Sequence, residues 1–568
     1  MRCESLGWVS QLVAVALLLL GCGEDASRVC VAGEVELCTC LDGSLGSQAC
    51  DSSGGFGACQ CGSAGASCFP GEVMNCACPD GTPSTQSCGP GNQYTVCMCQ
   101  AQGGTGAVGG GTGAVGGDGS GGMMLTAGDP GVAIPNPQDE AAFVWDDSQL
   151  QTYELQIAQQ DLDFLDSAPA DEIYVPGTLI YGQESYPVGV RYKGSVGGYV
   201  GCVSGGGGLN PASTSGRKTC PKLSMKVSFN WTNNGTLPDG GRFHGLKKLQ
   251  FHSMNSDASM MRDRLGYALF REMGIASPRA VHARLIINGQ YEGLFINVEQ
   301  IDSRFTRAHF TDGGDGNLYK EVWPKWTNPG DYMLGLRTNE TDPGLSFDKV
   351  VRFAQGIGAT TGQQQALDVA RQWMDMNYVY KFIAVDRAIV HDDGMFHWYC
   401  QGGLISLSTG NNPGPCSNHN YYVYESQTAD YLWLVPWDLD LSFGGESQIT
   451  PITEAWNDTN VSCSTSGGGA SITPQMAPGC DKLTAGWAFD NAAYQAAIRE
   501  LLAGPFAQGN VDGKLDAWSA QISNAVGEQA QNLGGGQDIP SVNNWQSAVS
   551  SLRQYVNSRR NAMQSLAN

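Results

Sequence analysis

Four aspartates and an asparagine carry the side chains best suited to hold a metal ion or move a proton. Asp392 and Asp393 stand in His391-Asp392-Asp393-Gly394 at the end of a long apolar helical stripe, and Asp438 and Asp440 stand in Trp437-Asp438-Leu439-Asp440, directly after an apolar strand. If that segment is extended, Asp438 and Asp440 share a side, because side chains alternate along a strand. Two carboxylates on one side suit a hard divalent cation, which takes oxygen ligands. Asn420, at the head of Asn420-Tyr421-Tyr422-Val423-Tyr424, adds a neutral oxygen donor. The candidate cations for a phosphate are Lys222 and Lys226, which share a face of an alternating segment, and Lys320 after Asn317-Leu318-Tyr319. Zinc hydrolysis has little support, with seven His in the chain and no His-Glu-x-x-His string. A metal-dependent hydrolase built on Asp393, Asp438 and Asp440 is the minor alternative.

The elements that would position these groups are legible as periodicity. Tyr186 to Tyr192 alternates around Val188 and Val190, and Leu223 to Phe229 alternates against Lys222 and Lys226, so both read as half-buried strands. Asp257 to Met273 has apolar residues at helical spacing behind Asp257 as a cap. Asn288-Gly289 between two apolar runs predicts a type I′ hairpin, which leads into Glu299-Gln300-Ile301-Asp302. Gln364 to Ile389 traces one long helix. Residues 420–424 and 432–436 predict a second hairpin, and Ala492 to Leu502 and Ser541 to Leu566 predict helices in the tail. Strand, lysine-bearing strand, helix, hairpin and acidic connector follow the order of a protein-kinase N-lobe, and the fold class is α+β.

Six strings in this order resemble the CotH kinase family, the spore-coat protein kinases and their relatives. They are Arg191-Tyr192-Lys193-Gly194, the segment ending Leu269-Phe270-Arg271-Glu272-Met273-Gly274, Ile287 to Leu294, Glu299 to Asp302, Gly316 to Lys320, and Pro436 to Asp440. The resemblance covers roughly residues 145–445. It implies an atypical, bilobal kinase-like domain over residues 143–568 that transfers phosphate from ATP, with Mg²⁺ or Mn²⁺, to a Ser or Thr of a protein substrate outside the cytoplasm. It implies Asp393 as the catalytic aspartate, with Asp392 the adjacent alternative, and Asn420, Asp438 and Asp440 as metal ligands. It implies a lysine on the phosphates, with Lys222 favoured over Lys226 and Lys320, and Glu299 on the adenine side or in an ion pair. Kinases leave about four residues between catalytic Asp and Asn, whereas 26 residues separate Asp393 from Asn420 here. The alternative is therefore a non-catalytic surface adhesin or a coat or envelope assembly protein on a kinase-like scaffold.

The N-terminal quarter reads differently. An apolar run from Trp8 to Leu20 is too short to span a bilayer and ends in Leu19-Leu20-Gly21-Cys22, which resembles a bacterial lipobox. Residues 1–21 are then a signal peptide, 22–29 a tether and Cys22 the lipidated residue, so the expected place is the outer membrane or cell surface. Cysteines at 30, 38, 40, 50, 59 and 61 recur 38 residues later at 68, 76, 78, 88, 97 and 99, defining two modules over 30–61 and 68–99. Each has too few large apolar residues to offset its chain entropy without disulfides. Residues 100–142 form a Gly-rich flexible linker. Cys202, Cys220, Cys400, Cys416, Cys463 and Cys480 fall in three close pairs, which sequential bridging would staple across Gly-, Ser- and Pro-rich insertions. A net charge of −23 with 32 Lys and Arg excludes nucleic acid as a partner, because that affinity rests on basic patches.

Overall fold

The structure, a computed structural model, describes four short strands within the first 87 residues and the chain from Asp139 to Asn568, except residues 195, 206–213, 234, 236–239, 402–411, 413, 445–454, 464–473 and 535–537. The chain divides into two compact units, residues 1–108 and 109–568. In the first, β1 (Val35–Thr39) pairs with β2 (Leu45–Ala49) and β3 (Val73–Ala77) with β4 (Pro83–Ser87). β3 begins 38 residues after β1 (73 − 35) and β4 begins 38 after β2 (83 − 45), the offset of the cysteine repeat. The signal peptide, Cys22 and the linker up to residue 138 lie outside the described residues, as do the side chains of the twelve module cysteines.

The second unit starts earlier than its aromatic content suggests. Asp139 pairs with Arg304 and Ala141 is fully buried, so the last four residues assigned to the linker, 139–142, belong to the fold. A 3-10 turn, Ala142–Trp145, leads into β5 (Gln151–Ile157). There follow α1 (Gln159–Ser167), β6 (Val175–Tyr181), β7 (Glu184–Tyr192), α2 (Val196–Tyr199), β8 (Met225–Ser228), β9 (Lys248–His252), α3 (Arg262–Glu272), β10 (Ala280–Ile287) and β11 (Gln290–Val298). The seven strands close into a barrel in the order β10-β11-β9-β8-β7-β6-β5, the seam being the parallel pairing of β5 with β10. Closure removes the open edges that a kinase-like N-lobe order would leave. Val188, Val190, Tyr192, Met225, Val227, Leu249 and Phe251 fill the interior, so Arg191, Lys193, Lys226 and Lys248 fall on the outer face by alternation. At the β10–β11 turn Asn288 and Gly289 both have positive φ, 50° and 77°, as a type I′ turn requires.

Downstream, α4 (Ser303–His309), β12 (Asn317–Lys320), α5 (Gly330–Met333), α6 (Asp348–Ala359), α7 (Gln363–Trp373) and α8 (Met376–Ile389) lead to β13 (Trp398–Cys400), β14 (Cys416–Ser417), β15 (Tyr421–Glu425) and β16 (Leu432–Pro436). The tail adds β17 (Gln475–Met476), α9 (Lys482–Phe489), α10 (Asn491–Ala503), α11 (Gln508–Asn532) and α12 (Val542–Leu566). A core separate from the barrel's surrounds the buried helix α8. The single helix expected over 364–389 is two, because Asp375 accepts hydrogen bonds from the backbone of Asn377 and Tyr378 and starts α8 afresh. Cys202–Cys220, Cys400–Cys416 and Cys463–Cys480 are bridged in sequence. Among the described residues no helix is long and apolar enough to cross a membrane.

Candidate functional site

Three chain segments meet where α8 ends. Val390 takes a left-handed conformation (φ 50°) that stops α8, and the chain turns through His391, Asp392 and Asp393. Asn420 enters the β15–β16 hairpin and Asp438 leaves it. The Asn420 amide nitrogen donates to the Asp393 carboxylate at 2.9 Å and to its carbonyl at 3.0 Å. The insertion between them is closed by the Cys400–Cys416 bridge and by β13–β14 pairing, so 26 intervening residues do not part the two side chains.

Backbone hydrogen bonds fix the rest. The Asn420 N–H donates to Glu321 (3.2 Å), and the Asn420 carbonyl accepts from Trp437 N–H (3.1 Å). Asp438 N–H donates to the Tyr267 hydroxyl (2.9 Å) and Leu439 N–H to the Asp263 carboxylate (3.1 Å), both on α3. A Cβ on Gly266 would lie 2.7 Å from the Leu439 side chain, so glycine there lets α3 approach the Asp438 loop. His391 bridges the halves, with Nε2 2.9 Å from the Asp438 carbonyl and Nδ1 3.3 Å from the Asp386 carboxylate. Burial opposes charge on this imidazole, yet Asp386 outweighs it and its pKa is raised. Glu321, Val390, Asn420, Asp438 and Phe443 all have φ between 50° and 58°. Non-glycine residues held there cost about 1–3 kcal/mol each and gather at functional sites.

The cleft holds an excess of carboxylate. Asp440 is pushed well above the usual carboxylate range by burial and then by Asp438, Asp263 and Asp393. Asp393 is raised by burial and by Asp438, against His419, the Tyr399 hydroxyl and His391. Among the described residues no three of these carboxylates bring oxygens within 4.8 Å of one another. What the site offers a Mg²⁺-sized cation is unbalanced negative charge, and Asn420, Asp438 and Asp440 are the residues that would hold it, with other oxygens completing its shell.

The cations are not all where sequence placed them. Lys193 Nζ lies 2.8 Å from His252 Nε2 and 5.7 Å over the Trp437 ring, and the other His252 nitrogen is 3.4 Å from Asp263. Burial lowers the Lys193 pKa, with Asp438 opposing and Lys320 adding to the effect. Lys320 faces the same cleft, feels Asp438, and sits 3.4 Å from Glu321. Lys226 neighbours Lys193, Lys248 and Arg191 and is lowered to about 7 by burial and then by those charges.

Lys222 is elsewhere. It is fully buried, donates to the Leu294 carbonyl (2.6 Å) and the Gln529 side chain (3.0 Å), and has no place in the cleft. β8 begins only at Met225, so the alternation that would hold Lys222 with Lys226 stops short. Glu299 takes the ion-pair role rather than an adenine-side one, gripping Arg279 through both oxygens (2.6 and 3.0 Å) with His309 at 3.3 Å. Asp392 is fully buried, with its carboxylate 3.7 Å from His397, whereas Asp393 is only partly buried.

Lys193, His252, Asp263 and His391 went unassigned in the sequence reading. Strand parity offered a signal for Lys193, since Val190 and Tyr192 point inward. His391-x-Asp393 offered another, because it has the spacing of the His-x-Asp of a kinase catalytic loop.

An α+β fold with a carboxylate- and lysine-lined cleft is thus the class of protein defined. Residues 190–563 match the family described as CotH kinase protein, and the chain belongs to that family. It is 22% identical over 300 residues to the inner spore coat protein H of Bacillus subtilis (strain 168), covering 52% of this chain and 70% of that protein. It is 38% identical over 55 residues to the inner spore coat protein H-like protein of the same organism, covering 10% and 18%.

Proposed function

We propose that the domain is an ATP- and Mg²⁺-dependent protein kinase with a kinase-like bilobal arrangement, acting outside the cytoplasm on a Ser or Thr of a protein substrate. The observation that carries this reading is the Asn420–Asp393 hydrogen bond, which restores the aspartate–asparagine pair of a kinase catalytic loop across a long insertion. Asp393 accepts the proton of the acceptor hydroxyl as its oxygen bonds to the γ-phosphorus and ADP departs. Asp438, Asn420 and Asp440 would hold Mg²⁺, which would supply charge neutralisation on the phosphates. Lys193, in place of Lys222, meets the phosphates with Lys320 beside it. Asp263 and His252 keep Lys193 oriented, and His391 locks the Asp393 and Asp438 segments in register. The scaffold reading loses the separation that favoured it.

Location and tether extend the proposal. The relative named as an inner spore coat protein supports a surface or coat-associated place, and the three disulfides suit an oxidising compartment. Cys22 supplies the lipid anchor at the outer membrane or cell surface, and the two six-cysteine modules with the Gly-rich linker act as the spacer. Incubating the soluble domain with γ-labelled ATP and Mg²⁺ or Mn²⁺ tests the activity. Label transferred to the protein itself or to a generic acceptor, and lost in Asp438→Ala, is expected; no transfer by either protein contradicts it.

A further inference from the structure

A neighbouring face of α3, turned away from the cleft, carries a second concentration of positive charge. Arg264, Ala268 and Arg271 repeat at helical spacing on one face and line a cavity of about 570 Å³ between α3, the start of β10 and α11. Arg279 also lines it but is neutralised by Glu299, and Lys514 on the rim is paired with Glu272 at 2.8 Å. Arg264 is 1% exposed, stacks 4.4 Å over the Trp518 ring, and gives its Nη atoms to His282, Gln521 and the Asp147 carbonyl. Its Nε–H has no partner. Arg271 donates to the Pro278 carbonyl. Among the described residues neither guanidinium has a carboxylate within ion-pair distance, and the only uncommitted acid on the lining is Asp147.

Guanidinium cannot escape by losing its proton, and a buried charge without a counter-charge is costly. Burial is the leading cause lowering both arginines, to about 9 and about 10; Asp147 opposes it at Arg264, Glu299, Glu272 and Asp147 oppose it at Arg271, and each is also lowered by a neighbouring arginine. Across from them α11 presents Gly509, Gly513 and Ala517, which leave the cavity open. We propose that this cavity is a binding site for phosphate or a phosphate monoester, held by Arg264 and Arg271 and separate from the nucleotide cleft. Arg264 brings its unpartnered Nε–H and Arg271 the N–H groups beyond its bond to Pro278, donors that match the oxygens of such a dianion.

Gly513 provides the sharpest test, because a Cβ there meets nothing within 4 Å and a side chain would project from a helix that tolerates it. Calorimetric titration of the intact domain with inorganic phosphate, and separately with phosphoserine, is expected to show saturable binding. Tighter binding of phosphoserine would mark a monoester as the ligand, and equal binding would mark free phosphate. Gly513→Glu should abolish binding by placing an internal carboxylate among the arginines, while Gly513→Gln keeps it. Arg271→Gln should weaken it roughly tenfold or more, and Lys193→Met should leave it unchanged. Absence of saturable binding overturns the proposal, and so does binding that survives Gly513→Glu but is lost in Lys193→Met.

Discussion

Two lysines on the barrel domain show how the same residue type acquires opposite duties. Lys193 and Lys222 both have pKa values lowered by burial. Lys193 lies against His252, feels Asp438, Asp263 and Glu172, and is partly exposed. Lys222 is sealed under α11, bonded to a carbonyl and an amide, and the carboxylates it feels, Glu292 and Asp538, form no ion pair with it. A lowered pKa therefore does not locate a site by itself. What distinguishes Lys193 is its partial exposure beside carboxylates whose own charge is unbalanced.

The largest expected effect falls on the carboxylates. Asp393→Asn should reduce phosphoryl transfer by about 10²–10⁴-fold, the range for a lost general base, with the melting temperature nearly kept because asparagine preserves the shape. Steady-state transfer to a peptide acceptor measures this. On the cation side, Lys193→Met should reduce turnover by roughly 10²-fold, whereas Lys222→Met should leave turnover within about threefold, a single interaction being worth little at a distance. Equal losses in the two variants would erase the contrast between the lysines.

The two sites also differ in pH behaviour. Lys222 is lowered to about 7 by burial, against about 10.4 when unfolded. Between those values the unfolded state binds the proton and the folded state does not, so this group makes the fold more stable as pH rises. Its penalty is fully present below pH 7, and denaturant melts at pH 7 and 10 should show a rise of a few kcal/mol in wild type that is smaller in Lys222→Met, the remainder coming from Lys226, which is lowered in the same way. Smaller still, Cys400→Ser with Cys416→Ser should cost about 3 kcal/mol for a loop of this size, and it should reduce turnover more than it changes folding, because Asn420 then loses its register with Asp393.

Much of the fold was legible in local pattern. Alternation found most of β7 and all of β8, overrunning the latter at both ends, and Asn288-Gly289 found the β10–β11 turn, because both signals act within a few residues. Barrel closure was not legible, since it depends on parallel pairing of β5 with β10, whose register partners Gln151 and Ala283 stand far apart in sequence. The break before α8 was missed because the apolar stripe continues through it and only the Asp375 cap marks it. Within the site, the acidic residues were legible because their flanking strings are distinctive. The lysine was misplaced because parity was extended past the true start of β8, and the pairing of Asp393 with Asn420 depended on a disulfide-closed loop.

A kinase reaction requires the nucleotide to enter the cleft that Lys193 faces. Calorimetric titration of the domain with ATP, with and without Mn²⁺, tests this in wild type, Lys193→Met and Lys222→Met. The prediction is metal-dependent binding that Lys193→Met weakens at least about tenfold and Lys222→Met leaves intact. Absence of nucleotide binding in the wild type, or equal weakening in both variants, would contradict it.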